Sequence, residues 1–181
     1  MKTIYYTASS LDGYIAAPGN DLGWLFRLEG DGNRDYPEFI KDVGAIAMGS
    51  ATYEWILNHE KLLETGKPWT YEQPTWVFTT RNLPLVSGAD IRFVRGDVRP
   101  VHAEMVAAAA GRNVWLVGGG ELVGQFHDHG LLDELVVTIG SVTLGAGAPL
   151  LPRNITTPPL VLEAVVPMPP GFAQLRYRVA R

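Results

Sequence analysis

The sequence contains no cysteine. That absence excludes disulfides, thiolate nucleophiles, iron–sulfur clusters and every zinc site built with a cysteine ligand. Positive charge is also scarce, since 15 Lys and Arg against 19 Asp and Glu leave a formal net charge of −4. Nucleic-acid affinity rests on a clustered basic surface, so no nucleic-acid partner is expected. The scattered positives Arg92, Arg95 and Arg99 suffice for one small anionic ligand. Apolar runs fall far short of the roughly 20 residues that span a bilayer, which predicts no membrane partner. The opening MKTIYYTASSLDG has one lysine and no sustained apolar segment, which predicts no signal peptide and a cytoplasmic protein. Repeats and low-complexity tracts are absent.

What is present is a globular composition, 46% hydrophobic and 19% charged over 181 residues, read as one domain spanning 1–181. Apolar runs predict strands at 2–9, 44–48, 75–79, 91–94, 113–117, 134–141, 159–166 and 172–180. Most of the first five are continuously apolar, the pattern of strands covered on both faces. Helical spacing falls at about 37–43, 50–58, 101–110 and 120–129. Pro37 and Pro100 suit first turns, and Gly111 and Gly130 suit the left-handed position past a helix end. The alternation predicts an α/β sheet, mostly parallel, that finishes in an antiparallel part. Segments 16–36 and 59–74 carry no clear pattern, and loops of that length in a compact domain are lids or misread elements.

Two stretches share one grammar. AIAMGSATYEWIL and VWLVGGGELVGQF each run strand, glycine, helix. A helix start leaves free N–H groups and a partial positive charge, and glycine lets backbone approach a ligand, so the pair predicts a cradle for a ligand with more than one phosphate. Neither stretch is a standard nucleotide motif. A G-x-G-x-x-G from Gly118 would need glycine where Val123 stands, and a P-loop from Gly119 would need lysine where Gln125 stands.

The ordered set SLDGYIA, AIAMGSATYE, VFTTRN, VWLVGGGELVGQF and DELVVTIGSVTLGAGAPLL resembles the dihydrofolate reductase-like superfamily. Within it, the chain resembles the riboflavin-biosynthesis reductase branch, the RibD C-terminal-like domains. The likeness covers essentially the whole chain. It implies a three-layer α/β/α domain with a mostly parallel eight-stranded sheet and an antiparallel C-terminal hairpin. It further implies an NADP-dependent oxidoreductase, with NADP(H) across the carboxyl ends of the strands, a small-molecule substrate and a homodimer.

The resemblance places the cofactor against Ala8, Gly49, Ser50, Ala51 and Thr52 on one side. Thr79, Thr80 and Arg81 fall at the adenosine end, and Val117, Gly118, Gly119, Gly120, Glu121 and Leu122 around the pyrophosphate and nicotinamide. The hydroxyls and guanidinium of FTTR suit a 2′-phosphate better than the acid of an NAD site, which favours NADP. Ser9 and Asp12 of SLDG would lie at the substrate end of strand one.

In dihydrofolate reductases a carboxylate precedes the second strand. Here the segment YPEFIKDV offers Asp35 or Glu38 without a clear register, which argues against folate. With neither the length nor the cysteines of a zinc deaminase, the chain reads as a stand-alone reductase domain.

His127 and His129 are two residues apart on a helix and point away from each other, so no metal is expected. Trp76 and Trp115 lie in apolar strands, as core or under a ligand, while Trp24 and Trp69 on the long loops are candidates to close over a substrate. A ligand binder without turnover remains an alternative to the enzyme, as does a dimer module built on the apolar strands LVLEAVV and AQLRYRVA.

Overall fold

Continuously apolar strands need cover on both faces, and the computed structural model, which describes residues 1–180, supplies it. The order is β1 (Thr3–Ser10), β2 (Tyr14–Ala16), α1 (Gly23–Phe26), α2 (Tyr36–Lys41), β3 (Val43–Gly49), α3 (Ser50–His59), α4 (Leu62–Thr65), β4 (Thr75–Phe78) and β5 (Ile91–Val94). There follow α5 (Val98–Ala109), β6 (Asn113–Gly118), α6 (Gly120–Asp128), β7 (Glu134–Gly140), β8 (Ala148–Pro149), β9 (Val161–Met168) and β10 (Phe172–Arg178).

Eight strands form one sheet in the order β5-β4-β3-β6-β1-β7-β10-β9. All neighbours are parallel except β10, which runs antiparallel to β7 and β9. Successive strand residues point to opposite faces, so neighbours on β1 part company. Tyr5 enters the layer under α5 and α6 with Met105 and Phe126, while Tyr6 enters the layer under α3 with Ile56 and Trp115. No helix among the described residues is long and apolar enough to cross a membrane.

Several boundaries differ from the sequence reading. The helix expected at 101–110 begins at Val98 because the Asp97 carboxylate accepts from the Arg99 N–H, a side-chain cap that leaves Pro100 inside the first turn. The strand expected at 159–166 runs later, since Pro158 and Pro159 have no N–H to give a ladder. The patternless segments hold α1 and α4, helices of four residues, too short to show periodicity.

What positions the site is a change of direction. β3 and β6 lie side by side and parallel. The chain leaves β3 through α3 onto one face and leaves β6 through α6 onto the other, so a crevice opens outside their carboxyl ends. Gly120 locks one wall of it. A Cβ there would lie within 2.4 Å of the Pro149 and Leu150 carbonyl oxygens, so only glycine lets α6 start against the strand β8.

Candidate active site

The crevice begins with bare backbone. Gly49 caps α3 and Gly119 caps α6, and neither helix start has a side-chain cap. Their first-turn N–H groups therefore stay unpaired, at the positive ends of two helix dipoles. A Cβ built on Gly49 would lie 3.7 Å from the Gly119 nitrogen and 3.8 Å from the Gly118 oxygen. The two turns thus face each other across a gap kept open by the missing side chain. The glycine turns expected to converge do converge, on one rim.

From this cradle a groove of about 470 Å³ runs outward, lined by Ser50, Thr79, Thr80, Arg95, Gly96 and Leu122 among others. The arginine in it is not the expected one. Arg81 holds Glu54 with both terminal nitrogens, Nη1 to Oε1 at 2.9 Å, and does not line the groove. Arg92 lies over Trp76 and pairs with Asp90, and Arg99 pairs with Asp97. Among the described residues Arg95 has no carboxylate partner, so its guanidinium remains available to an anion. Glu121 lines the same groove but is held by Arg153 at 2.8 Å, which keeps its carboxyl below the usual range.

Inward from the cradle lies a cavity of about 220 Å³ lined by Ala8, Ile15, Thr52, Val117 and Gly118, and it shares Ala51 and Gly119 with the groove. Beyond it opens a chamber of about 540 Å³, which shares Thr7, Ala8, Leu22, Leu25, Trp55 and Val117 with that cavity. Shared walls make the three spaces one trough. The chamber is walled by the rings of Tyr6, Tyr36, Trp55, Tyr71, Trp115 and Phe172. Trp115 is braced edge-on by Tyr71 at 5.4 Å and Tyr6 at 6.2 Å, and its indole N–H donates to the Tyr6 carbonyl at 3.0 Å.

Of the three acids singled out, Asp35 alone reaches the chamber wall. Its carboxylate accepts from the Tyr6 hydroxyl at 2.8 Å, from buried Gln174 at 2.9 Å and from Arg176 at 3.2 Å. Burial first, and the Asp35 hydrogen bond and charge second, push the Tyr6 phenol far above its usual pKa. Tyr6 therefore keeps its proton at any physiological pH.

Glu38 points to solvent and pairs with Lys41, which removes it from the site. Asp12 is a clasp and does not line the trough. It accepts from the Ser10 hydroxyl at 2.6 Å and from the Leu144 and Gly145 amides, bonds that hold its pKa below the usual carboxylate value and tie the turn after β1 to the loop before β8. Ser9 is buried with its hydroxyl on the Ser10 carbonyl, likewise outside the trough.

The tryptophans are redistributed too. Trp24 is packed inward against Leu28 and Gly140, so Leu22 and Leu25, its neighbours in the α1 segment, line the cavity in its place. Trp69 is core, its indole N–H on Thr75. His127 approaches Asp128 at 3.6 Å, and His129 follows the end of α6. No group of three or more potential metal ligands exists among the described residues.

Tyr6, Thr138 and Gln174 were not anticipated. A signal existed for Thr138, a lone polar residue in the apolar run LVVTIG, the pattern that marks a buried polar group needing a partner, whereas Gln174 stands among arginines in FAQLRYR and gave none.

Comparisons agree with this geometry. The family model of the RibD C-terminal domain matches residues 56–163. The Bacillus subtilis protein YwjB, itself uncharacterised, is 34% identical over 149 residues, which is 82% of this chain and 82% of that one. The crystal structure of a Shewanella sp. PV-4 protein provisionally assigned to riboflavin biosynthesis matches with a TM-score of 0.81 at 25% identity, over 100% of both chains. Dihydrofolate reductase from Enterococcus faecalis, solved with NADP(H), shares the fold with a TM-score of 0.64 at 15% identity, over 99% of this chain and 97% of that one. The chain thus belongs to the RibD C-terminal domain family, within the dihydrofolate reductase-like fold.

Proposed function

We propose that the protein is an NADPH-dependent reductase that delivers a hydride to a carbonyl or imine carbon of a small nitrogen heterocycle, of the ribosylaminopyrimidine or pterin kind. One observation carries the reading. A single trough joins a phosphate-sized cradle of bare backbone, a groove with a free arginine and an aromatic chamber.

The residues fit the cofactor end to end. Arg95, with the Thr79 and Thr80 hydroxyls, would meet the 2′-phosphate, a charge-assisted contact that NADH cannot make. The amides at the mouths of α3 and α6 would hold the diphosphate. Ala8, Ala51, Thr52, Val117 and Gly118 would border the nicotinamide, small groups that leave room for a flat ring beside the chamber. Reduced nicotinamide supplies the hydride when bound. The protein's own work is to align the heterocycle between its aromatic walls and to exclude water. Asp35 positions the Tyr6 hydroxyl at the chamber wall, and this is the catalytic role its place supports.

A homodimer accords with the same reading, since β9 is an edge strand with Leu162 and Val165 exposed.

The test is loss of nicotinamide absorbance with NADPH and a panel of pterins, folates and ribityl pyrimidines. At least one heterocycle is expected to be reduced, with NADPH preferred over NADH. In Arg95→Ala that preference should fall by about 10-fold or more, the worth of one charge-assisted hydrogen bond. Tight NADPH binding with no oxidation across the panel would establish a non-catalytic binder, and an unchanged preference in Arg95→Ala would remove the arginine from the assignment.

A further inference from the structure

One carboxylate stands at the cradle itself. Glu121 is the second residue of α6, in the first turn whose N–H groups are unpaired, and with Arg95 it is one of two charged residues in the described lining of the groove. An acid in the first turn of a helix is drawn to those N–H groups, as a phosphate is. Left free, its flexible side chain would settle at the mouth of α6 or on Arg95 and repel a diphosphate.

The fold holds it elsewhere. Glu121, Gly124 and Asp128 fall at i, i+3 and i+7, so they make one stripe along α6. Arg153, from the segment after β8, lies along that stripe. Its Nη1 and Nη2 donate to the two carboxylate oxygens of Glu121, each at 2.8 Å, and its Nε donates to Asp128 at 2.8 Å. Nη1 also donates to the Pro152 carbonyl at 2.9 Å. Gly124 is the bed for the guanidinium, since a Cβ there would overlap its central carbon. A bidentate pair fixes the direction of the carboxylate as well as meeting its charge. Arg153 itself does not line the groove.

We propose that Arg153 is a positioning residue that sets the affinity of the cradle for phosphates by holding Glu121 off it, so that the α6 amides and Arg95 are left to the ligand. The inference rests on the reading that the cradle takes the diphosphate of NADPH, but inorganic pyrophosphate probes the same groups without the nucleotide.

Calorimetric titration of the full chain with pyrophosphate and with NADPH compares the unaltered protein with Arg153→Met and with that variant carrying a second change. Methionine keeps an apolar cover over Gly124 and removes the charge. Arg153→Met is expected to bind both ligands about 10-fold more weakly. Adding Glu121→Gln, which removes the released charge, should return both affinities to within threefold of the unaltered protein. Adding Asp128→Asn instead restores the same net charge at the far end of α6 and should return neither. The lost ion pairs lower the melting temperature by about 2–4 °C, and neither second change recovers it.

Equal affinities in Arg153→Met and the unaltered protein would overturn the proposal. So would a loss that Glu121→Gln does not reverse, which would assign the effect to packing or to a direct contact of Arg153, or an equal recovery with Asp128→Asn, which would assign it to net charge. Failure of a cooperatively melting, unaltered protein to bind pyrophosphate would overturn it as well. The expected pattern with pyrophosphate in a protein that does not bind NADPH would support the role of Arg153 and overturn the reductase reading.

Discussion

Gly49→Val is expected to weaken NADPH binding by at least about 100-fold while leaving the melting temperature within roughly 2 °C of the unaltered protein. The two halves of this result come from different geometry. Gly49 has φ −82° and ψ 166°, an extended conformation that valine adopts readily. Its Cβ would meet nothing closer than 3.7 Å, so folding has no steric reason to suffer, and the loss of a flexible residue from the unfolded chain adds a little stability.

The atoms it approaches, however, belong to the turn that caps α6. The branched side chain would stand where the diphosphate meets the amides. Losing two charge-assisted hydrogen bonds costs about 3–6 kcal/mol, enough for the expected loss of affinity. Calorimetry and a thermal melt of the same sample check it, and an affinity within threefold of the unaltered protein would show that the cradle holds no phosphate.

The second large effect is expected at Asp35. Replacing it by alanine withdraws the acceptor shared by Tyr6, Gln174 and Arg176 at once. Gln174 is 1% exposed, so its amide cannot turn to water for compensation and keeps only the Thr138 hydroxyl, at 3.4 Å. Leaving buried donors unpaired costs about 1–3 kcal/mol each, so a loss of about 3 kcal/mol is expected, read as a melting temperature lower by about 6–12 °C.

A purely structural role would stop there. Positioning of Tyr6 predicts more: NADPH affinity unchanged, turnover of the reduced heterocycle lower by about 10-fold or more, and non-additivity with Tyr6→Phe of about 1 kcal/mol in a double-mutant cycle. Additive effects, or turnover unchanged in Asp35→Ala, would confine Asp35 to stability.

The fold was legible where residue type forces geometry. Unbroken apolar runs have to be covered on both faces, and glycines between a strand and a helix have to allow close approach, so the sheet and the convergence of Gly49 with Gly118 to Gly120 could be read directly. Legibility failed where the answer depended on a partner far away in sequence. Arg81 and Arg95 are equally basic, yet only the fold shows that Glu54 on α3 occupies the first and leaves the second free.

Direction was equally hidden. Trp24 sits on a loop that does border the trough, but its ring turns inward against Gly140 while Leu22 and Leu25 face the cavity. Asp12 carries the charge of a catalytic acid, but three donors around it convert it into a loop tie. The chamber itself is assembled from β1, α1, α2, α3, β6, β7 and β10, seven elements whose meeting no local pattern announces.

The central claim is that two glycine-opened helix mouths on one rim bind the diphosphate of a dinucleotide. Calorimetric titration of NADPH into the unaltered protein tests it most directly. One site per chain with a dissociation constant of about 10 μM or tighter, and NADH bound at least about 10-fold more weakly, is the predicted result. A cooperatively folded protein that releases no heat of binding and gains no thermal stability at millimolar NADPH would contradict it.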